Sequence, residues 1–486
     1  MRLKFNGKIL VIGCGGVSQC FMPMLVKHLD VPKNKITVMD FEDKRATIQD
    51  VLDSGVKYVR DKITKTNMAS KLAKHVGSGD LIVDLAWNID CCEILQWCHD
   101  HNVLYINTSV EVWNPYSDAE NTTPVERTLY HRHLKIRAML KTWKEKGATA
   151  VLEHGANPGL VSHFVKEALV DIARKIIREK PKNPRVKELK KNLAERNFPK
   201  LAQVAGVKVI HISERDTQIA NNPKEVNEFV NTWSVEGFYE EGVAPAEMGW
   251  GTHERSMPAG AHVHLSGPGN QICLAQMGVK TKVRSWVPCG EIVGMVVRHG
   301  EAFTISDYLT VWDGQKPVYR PTVHYAYCPS DAAILSLHEL EMRQYDLQKK
   351  QRILGDEIIS GRDELGVLLM GHDFKSWWTG SLLDIEETRR LVPHQNATTL
   401  QVAASLLGAI AWMIKNPKKG VRVPDQLPYE EILAVAKPYL GSCVSRPVDW
   451  DPTMNRTDVK IFGKYNNGAK KFSPDDKWQF NTFQIS

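Results

Sequence analysis

The sequence predicts an α/β protein in which a doubly wound parallel sheet is followed by a second, largely antiparallel α+β domain. Apolar strands alternate with helical segments up to about residue 155, the pattern of a parallel sheet with right-handed crossovers. From about residue 206, strand-like runs follow each other with few helices between them, which is typical of antiparallel sheets. With 486 residues and a hydrophobic fraction of 43%, the chain is long enough for two or three hydrophobic cores.

A glycine-rich turn follows the first apolar run of the chain. Residues 9–12 have the character of a buried strand, and the apolar residues after the turn recur at helical spacing. This is a Rossmann-type unit, in which the first glycine makes the turn and the second lets a pyrophosphate reach the N–H groups of the helix N-terminus. The third motif position holds a serine instead of a glycine. The predicted pyrophosphate-binding residues are Gly13, Gly15, Gly16, Val17 and Ser18.

An acid after the second strand indicates which dinucleotide is bound. Asp40 ends the apolar run 35–40, where a carboxylate holds the ribose hydroxyls and repels a 2′-phosphate. The sequence therefore predicts NAD rather than NADP. Because ligands lie beyond the carboxyl ends of such strands, Thr108, Ser109 and Glu111, which follow strand 103–107, are expected to face the same crevice. The alternative is a doubly wound domain whose glycine turn binds no nucleotide.

Composition and patterning argue against several classes of protein. The longest apolar segment, 399–414, contains Gln401 and Ser405 and is interpreted as a buried helix, so no membrane span is expected, and no signal peptide is evident. The nine cysteines form no C-x-x-C pair, which indicates a reducing, cytoplasmic compartment. Histidine pairs lack further ligands at regular spacing, and we therefore predict no metal site.

The net charge of +7 comes from one segment, because residues 174–200 hold 11 Lys/Arg and 3 Asp/Glu. This basic segment is interpreted as a solvated helix–turn–helix surface, and we expect no nucleic-acid partner; an RNA or polyanion contact is the alternative. The stretch 213–254 has the opposite bias, with nine acids against two bases. An acidic stretch that is rich in aromatic residues suits a cationic ligand.

The expected domain boundaries follow from these patterns. Residues 1–155 form the nucleotide-binding domain, and a helix at about 395–420 is expected to pack back on it. Residues 156–394 form the substrate domain. Residues 421–486, rich in Pro, Asn and Asp, are expected to wrap irregularly over the surface. If residues 233–241 formed a strand, the side chains of Trp233 and Glu241 would point to the same face of the sheet, unless Gly237 interrupts the alternation between them.

Several long motifs resemble those of bacterial homospermidine synthases, in the saccharopine dehydrogenase-like group. The motifs are residues 11–16 with 38–40, 154–163, 212–218, 231–242 with 246–255, and 363–369. The resemblance covers nearly the whole chain and is weakest in the basic segment and the C-terminal tail. It implies a bound NAD that takes a hydride from the carbon beside one amine of putrescine and returns it after a second amine has displaced ammonia. The product is homospermidine, and the NAD is retained unchanged.

Seven residues are candidates for the chemistry, and the resemblance implies the roles of four of them, namely Glu111, Glu214, Trp233 and Glu241. Trp233 forms an aromatic wall that stabilises a cation, with a core tryptophan as the alternative. Glu214 and Glu241 bind amines and transfer protons, and which acid is the base stays open. Asn157, whose side chain is presented before a proline, orients an amine or imine nitrogen; the alternative is a plain turn residue. The remaining three are Glu111, which holds an ammonium, His299, a proton shuttle or a capped surface histidine, and Asp363, a second-subsite anion or a loop acid.

Two rival functions remain open from the sequence. A saccharopine-type amino-acid dehydrogenase would reduce NAD in proportion to product, and its carboxylate-rich substrate would recruit Arg and Lys to the pocket. A non-catalytic NAD-binding protein would dock on nucleic acid through the basic segment. The acidic, aromatic stretch favours the diamine enzyme, which is expected to be a homodimer. The range of diamines beyond putrescine is not determined by the sequence.

Overall fold

The computed structural model describes residues 2–117, 120–455 and 473–485. Strands and helices alternate up to residue 151. The strands are β1 (Leu3–Lys4), β2 (Ile9–Ile12), β3 (Leu29–Asp30), β4 (Ile36–Asp40), β5 (Lys57–Arg60), β6 (Leu81–Asp84), β7 (Leu104–Asn107) and β8 (Ala150–Val151). The helices are α1 (Gly16–His28), α2 (Gln49–Asp53), α3 (Met68–His75), α4 (Cys91–Asp100) and α5 (Leu129–Leu140).

The rest of the chain is richer in strands. The helices are α6 (Leu160–Glu179), α7 (Val186–Ala194), α8 (Phe198–Ala205), α9 (Val235–Val243), α10 (Glu301–Tyr308), α11 (Asp331–Met342), α12 (Ile385–Leu391), α13 (Ala397–Lys415), α14 (Tyr429–Ala436) and α15 (Phe480–Phe483). The strands are β9 (Val209–Asp216), β10 (Ile219–Ala220), β11 (Glu228–Asn231), β12 (Pro245–Gly249), β13 (Ala261–Val263), β14 (Gln271–Met277), β15 (Lys282–Val287), β16 (Gly290–Met295), β17 (Val311–Asp313), β18 (Lys316–Tyr319), β19 (Thr322–Cys328), β20 (Lys350–Ile353), β21 (Ile358–Ser360), β22 (Arg362–His372), β23 (Lys375–Asp384), β24 (Val421–Arg422) and β25 (Ser442–Val448).

The first sheet is parallel throughout, with seven strands in the order β24-β8-β7-β6-β2-β4-β5. Strands β2, β6 and β7 are buried at every residue, because helices cover both faces of such a sheet. The strand order reverses at β2, and the crevice beyond its carboxyl end is therefore the expected ligand site. The predicted doubly wound parallel sheet is confirmed.

The second sheet has ten strands and is mostly antiparallel. Eight of them follow the order β13-β14-β12-β19-β9-β22-β23-β25, while β16 pairs with β19 and β15. Only the β9–β19 pair of this sheet is parallel. Strand β9 lies near the middle and is buried along seven of its eight residues. The predicted largely antiparallel second domain is confirmed.

The C-terminal part of the chain joins both sheets. Helix α13 packs against α1. It is long and apolar enough to cross a membrane, yet 83% of its most apolar window is buried inside the protein, and no second helix of this kind occurs in the described ranges. The expectation that residues 421–486 wrap irregularly over the surface is wrong for residues 421–448, since β24 extends the first sheet and β25 the second. Residues 456–472 and 486 of that prediction lie outside the described residues.

The strand expected around Trp233 is also not observed. Strand β11 ends at Asn231, and α9 begins at Val235 with the Ser234 hydroxyl accepting a hydrogen bond from the Gly237 N–H. A serine N-cap favours helix initiation here over continued strand. Strand parity therefore does not relate Trp233 to Glu241, which lies two turns into the helix.

Candidate active site

A cavity of about 220 Å³ lies between the carboxyl ends of the first sheet and the second domain. Its wall on one side comes from residues after β6 and β7 and from the start of α1. The opposite wall comes from β9, α9, β19 and the segment before α10. Of the predicted site residues, those that line it are Val17, Thr108, Ser109, Glu111, Asn157, Glu214, Trp233, Glu241 and His299.

The glycine turn adjoins this cavity and has the geometry that a pyrophosphate requires. Gly13 has a φ of +92°, and a Cβ there would lie 2.8 Å from the Leu85 carbonyl oxygen. A Cβ at Gly15, by contrast, would meet nothing within 4 Å, so space is open in front of the α1 N-terminus, where N–H groups have no intrahelical partner. The side chain of Ser18 is buried, which lets helix and strand pack closely at the third motif position. These residues fit a dinucleotide.

Asp40 lies at the end of β4 beside this turn. One of its carboxylate oxygens accepts a hydrogen bond from the Cys14 N–H at 2.6 Å, and the other accepts one from the Glu42 N–H at 2.8 Å. These bonds tie the carboxylate to the turn, at the place where an adenosine ribose lies in folds of this type. The neighbouring cations Lys44 and Arg45 are paired with Glu42 and Asp43, respectively, and this leaves Asp40 as the charge that a ribose meets.

Glu214 is a buried carboxyl group that forms no ion pair with any of the described residues. Its Oε2 accepts a hydrogen bond from the Tyr325 hydroxyl and one from Asn157 Nδ2 at 3.2 Å. Burial raises the pKa of Glu214 to about 8, and the hydrogen bond from Tyr325 only partly offsets this. Glu214 therefore gains or loses a proton near neutral pH, as a general acid or base must.

His299 lies between two carboxylates. Its Nε2 is 3.0 Å from Glu241 Oε2, and its Nδ1 is 3.3 Å from Glu301 Oε1. Burial lowers the pKa of His299, but the two carboxylates outweigh burial and raise it well above the usual value. His299 is therefore an imidazolium within the site, and the alternative of a capped surface histidine is wrong, since the residue is 5% exposed.

Trp233 lines the cavity with its indole, and contacts with Tyr327 and Phe238 hold the ring in place. Its Nε1 donates a hydrogen bond to the Tyr327 hydroxyl at 2.9 Å, and its ring packs against Phe238 with the centroids 5.4 Å apart. A Cβ at Gly237 would approach the ring to 3.2 Å. An oriented aromatic face on a carboxylate-lined cavity is a binding surface for a cation.

A charged cluster occupies the other end of the cavity. Glu240 accepts hydrogen bonds from Arg132 Nη2 at 2.6 Å and from Arg298 Nη2. Burial raises the pKa of Glu240, but the two guanidinium groups outweigh burial and lower it to about 2. Beside this cluster, Glu111 accepts a hydrogen bond from Ser109 Oγ at 2.7 Å. Burial, followed by the negative charge of Glu240, raises the pKa of Glu111 to about 7.

Asp363 does not line the cavity. It is fully buried and accepts a hydrogen bond from Thr398 Oγ1 at 2.8 Å, and Thr398 itself faces the cavity. Burial raises the pKa of Asp363 well above its usual value, and the charges of Glu214 and Asp216 raise it further. Asp363 therefore adjoins the cavity through Thr398. Its role as a second-subsite anion stays a prediction, whereas the alternative of a loop acid is wrong, since the residue lies within β22.

Sequence reasoning missed five site residues, namely Arg132, Glu240, Arg298, Glu301 and Tyr325. These residues reach the site through contacts between segments that are distant in the sequence, so local patterns do not reveal them. Glu240 precedes Glu241 in the acidic stretch, and that adjacency was the one available signal. The described ranges contain no group of three or more His, Cys, Asp or Glu side chains with metal-binding geometry.

A nucleotide-binding turn that faces a wall of ionisable carboxylates defines a dehydrogenase-type fold with a site for a small cationic substrate. The family model "Saccharopine dehydrogenase NADP binding domain" matches residues 9–151, and "Saccharopine dehydrogenase C-terminal domain" matches residues 155–446. Within this group, the chain is 39% identical to a homospermidine synthase of Blastochloris viridis, over 99% of this chain and 98% of that protein. It is 37% identical to a homospermidine synthase of Mesorhizobium japonicum, over 99% and 97% of the two chains.

A comparison with solved structures also indicates similarity to homospermidine synthases. The crystal structure of a homospermidine synthase from Legionella pneumophila in complex with NAD matches with a TM-score of 0.88 and 34% identity, covering 100% of this chain and 99% of that chain. The chain belongs to the homospermidine synthase family, within the saccharopine dehydrogenase-like group, and the resemblance predicted from the motifs is confirmed.

Proposed function

We propose that this protein is a homospermidine synthase, which transfers an aminobutyl group between two putrescine molecules with release of ammonia and no net redox change. The observation that carries the proposal is a single cavity in which the nucleotide turn faces Glu214, Glu241 and the indole of Trp233. Carboxylates and an aromatic face suit a diammonium substrate. A saccharopine-type substrate would require free cations, whereas both arginines of the cavity are bound to Glu240.

Deprotonation of the first amine is assigned to Glu214. An ammonium must lose a proton before the adjacent carbon can release a hydride, and a carboxyl group with a pKa of about 8 is, once ionised, basic enough to accept that proton. Asn157, hydrogen-bonded to the same carboxylate, orients the nitrogen. When bound, NAD supplies the hydride acceptor and later returns the hydride.

The exchange of amines is assigned to Glu241 and His299. The incoming amine forms a C–N bond to the iminium carbon and loses a proton to Glu241. The His299 imidazolium gives a proton to the leaving nitrogen. The C–N bond to that nitrogen then breaks, its electron pair stays on the nitrogen, and ammonia departs. No net proton is consumed. Trp233 stabilises the iminium charge through its ring face.

The far ammonium of the substrate is assigned to Glu111, whose Oε2 is buried and accepts no hydrogen bond from any described residue. Such an oxygen is costly to leave unpaired, and an ammonium would satisfy it. Asp363 supports this site from behind Thr398, with which it is hydrogen-bonded.

The cofactor is proposed to be NAD, retained between turnovers. The Asp40 carboxylate beside the glycine turn supports NAD over NADP, because a 2′-phosphate would be repelled by its charge. We expect Asp40→Ala to weaken NAD binding about tenfold or more, the loss of a charge-assisted hydrogen bond of about 1.5–3 kcal/mol. Isothermal titration with NAD and NADP measures both effects. Unchanged NAD affinity in the variant would refute the ribose role.

One assay tests the function directly. Putrescine is supplied with a catalytic amount of NAD, and homospermidine, ammonia and net NADH are measured together. Equal amounts of homospermidine and ammonia without accumulating NADH are expected. Ammonia matched by NADH would instead identify an amine or amino-acid dehydrogenase and would overturn the proposal.

We further propose a cytoplasmic homodimer. All nine cysteines are free thiols, which suits a reducing compartment. Exposed apolar residues at the edge strand β13, such as Val263 and the nearby Leu265, offer surface for a second copy. Light scattering on the purified protein measures the mass, and a mass of one chain would refute the dimer.

A further inference from the structure

Glu301 is a buried carboxylate for which the steps above have no use. It is the first residue of α10, has an exposed fraction of 0%, and does not line the cavity. Within the part of the chain that the structure describes, neither of its oxygens accepts a hydrogen bond. Its one ion pair among the described residues is with His299, at 3.3 Å from Nδ1. Burying a carboxylate is costly unless a cation compensates it.

His299 is the cation that compensates both of its carboxylate neighbours. Glu241 on α9 faces its Nε2, and Glu301 on α10 faces its Nδ1. The Tyr325 ring on β19 packs against the imidazole with the centroids 4.4 Å apart. The charges of Glu214 on β9 and of the preceding Arg298 also lie in this environment.

The two carboxylates differ in access to a substrate. The Glu241 side chain is 21% exposed and lines the cavity, whereas the Glu301 side chain is 1% exposed and lies outside it. An arriving ammonium therefore competes with His299 for Glu241 but not for Glu301. The N-terminal position of Glu301 in α10 also favours its negative charge, because the helix dipole is positive there.

We propose that Glu301 is a positioning residue that holds the His299 ring through Nδ1. It keeps the imidazole protonated while Glu241 leaves His299 to bind the substrate amine. This inference rests on the proposed function. Glu301 itself gains and loses no proton in the reaction. It fixes Nε2–H toward the cavity, and that proton is the one given to the departing ammonia.

The test is the pH dependence of turnover in Glu301→Gln. Loss of the anion removes the charge that keeps His299 protonated, so the fall of kcat at high pH should move to lower pH by about one unit or more. At pH 6 the variant should approach the wild-type kcat. The KM for putrescine should change less than about twofold, because Glu301 does not touch the substrate. Glu301→Asp should restore part of the wild-type profile.

The matched control is Glu254→Gln, another buried carboxyl, hydrogen-bonded to Thr322 and to the Phe480 N–H outside the cavity. Its pH profile should be unchanged. A Glu301→Gln profile that equals the wild type, or one lowered equally at every pH, would overturn the inference. If the wild type makes homospermidine, such a result leaves the proposed function intact.

A second measurement keeps the inference testable if Glu301→Gln does not fold. The histidine ring signals of the wild-type protein are followed by NMR through a pH titration, and His299 is assigned by the signal that disappears in His299→Asn. We expect His299 to lose its proton at a higher pH than an exposed histidine does, because two carboxylates face its ring. A ring that titrates like an exposed histidine would overturn the role of Glu301.

Discussion

Glu214 and Glu240 lie on the same cavity and within the same acidic stretch, yet their surroundings give them opposite properties. Glu240 is held by two guanidinium groups, and its pKa is about 2. Glu214 has only a tyrosine hydroxyl and an amide for partners, and its pKa is about 8. Both are almost fully buried. Burial alone therefore does not decide whether a carboxyl group is a fixed anion or a proton carrier; the neighbouring cations do.

Because Glu240 and Glu214 differ in this way, one cavity can both bind a charged substrate and transfer protons. The Glu240 end stays charged at all physiological pH values, and its carboxylate pairs with the two arginines that line the cavity. The Glu214 end changes its charge near neutral pH, where a proton must be moved. Four experiments test this difference between Glu214 and Glu240.

The largest effect is expected for Glu214→Gln. The substitution keeps size and hydrogen-bonding capacity but removes proton transfer, so kcat should fall by about 10²–10⁴. Steady-state kinetics at pH 7–9 measure it. Glu254→Gln, whose parent carboxyl has a pKa raised by burial to about 7, serves as the control and should retain activity. A Glu214→Gln enzyme within a few-fold of the wild type would remove Glu214 from the mechanism.

The next effect is on stability. Glu240→Gln leaves two buried arginines without their carboxylate, and the free energy of unfolding should fall by about 3–5 kcal/mol. Because the folded pKa of Glu240 is lowered, its contribution is fully present above about pH 5 and is lost only as pH falls toward 2. Urea unfolding at several pH values checks this. If the difference in unfolding free energy between Glu240→Gln and the wild type varies between pH 6 and 8, Glu240 is not a fixed anion.

Glu214 should show the reverse pH dependence of stability. Its folded pKa is raised, so its contribution is present below the unfolded pKa and is lost as pH rises from about 4.5 to about 8. Relative to Glu214→Gln, the unfolding free energy of the wild type should fall by up to about 1.4 kcal/mol per pH unit in that range. Parallel curves for the two proteins would show that Glu214 is ionised throughout.

The smallest effect is expected at the aromatic wall. Trp233→Phe weakens a cation–π contact of about 0.5–2 kcal/mol, so kcat/KM should fall about 2–30-fold, and Trp233→Ala should fall further. Trp250→Phe is the control, since Trp250 packs against Phe480 and a hydrophobic cluster away from the cavity. Equal activity of Trp233→Ala and the wild type would exclude a role for the indole.

The nucleotide side of the protein was largely predictable from local patterns. Buried strands, the glycine turn and Asp40 depend on neighbours within one βαβ unit, and the fold places them as the pattern indicates. The motif resemblance also indicated Glu111, Glu214, Trp233 and Glu241, and the end of an apolar strand indicated His299; the fold brings these residues to one cavity. The resemblance did not indicate that Asp363 lies behind Thr398 or that residues 421–448 extend two sheets, because those placements depend on strand pairing between distant segments.

The sequence by itself determined a dinucleotide turn, an acidic and aromatic second domain, and the family to which they belong. The tertiary structure decided which carboxylates titrate. The Arg132–Glu240–Arg298 cluster is assembled from α5, α9 and the segment before α10, and the two partners of His299 come from α9 and α10. Electrostatic interactions depend on distance in space and on burial, and neither quantity is set by proximity along the chain.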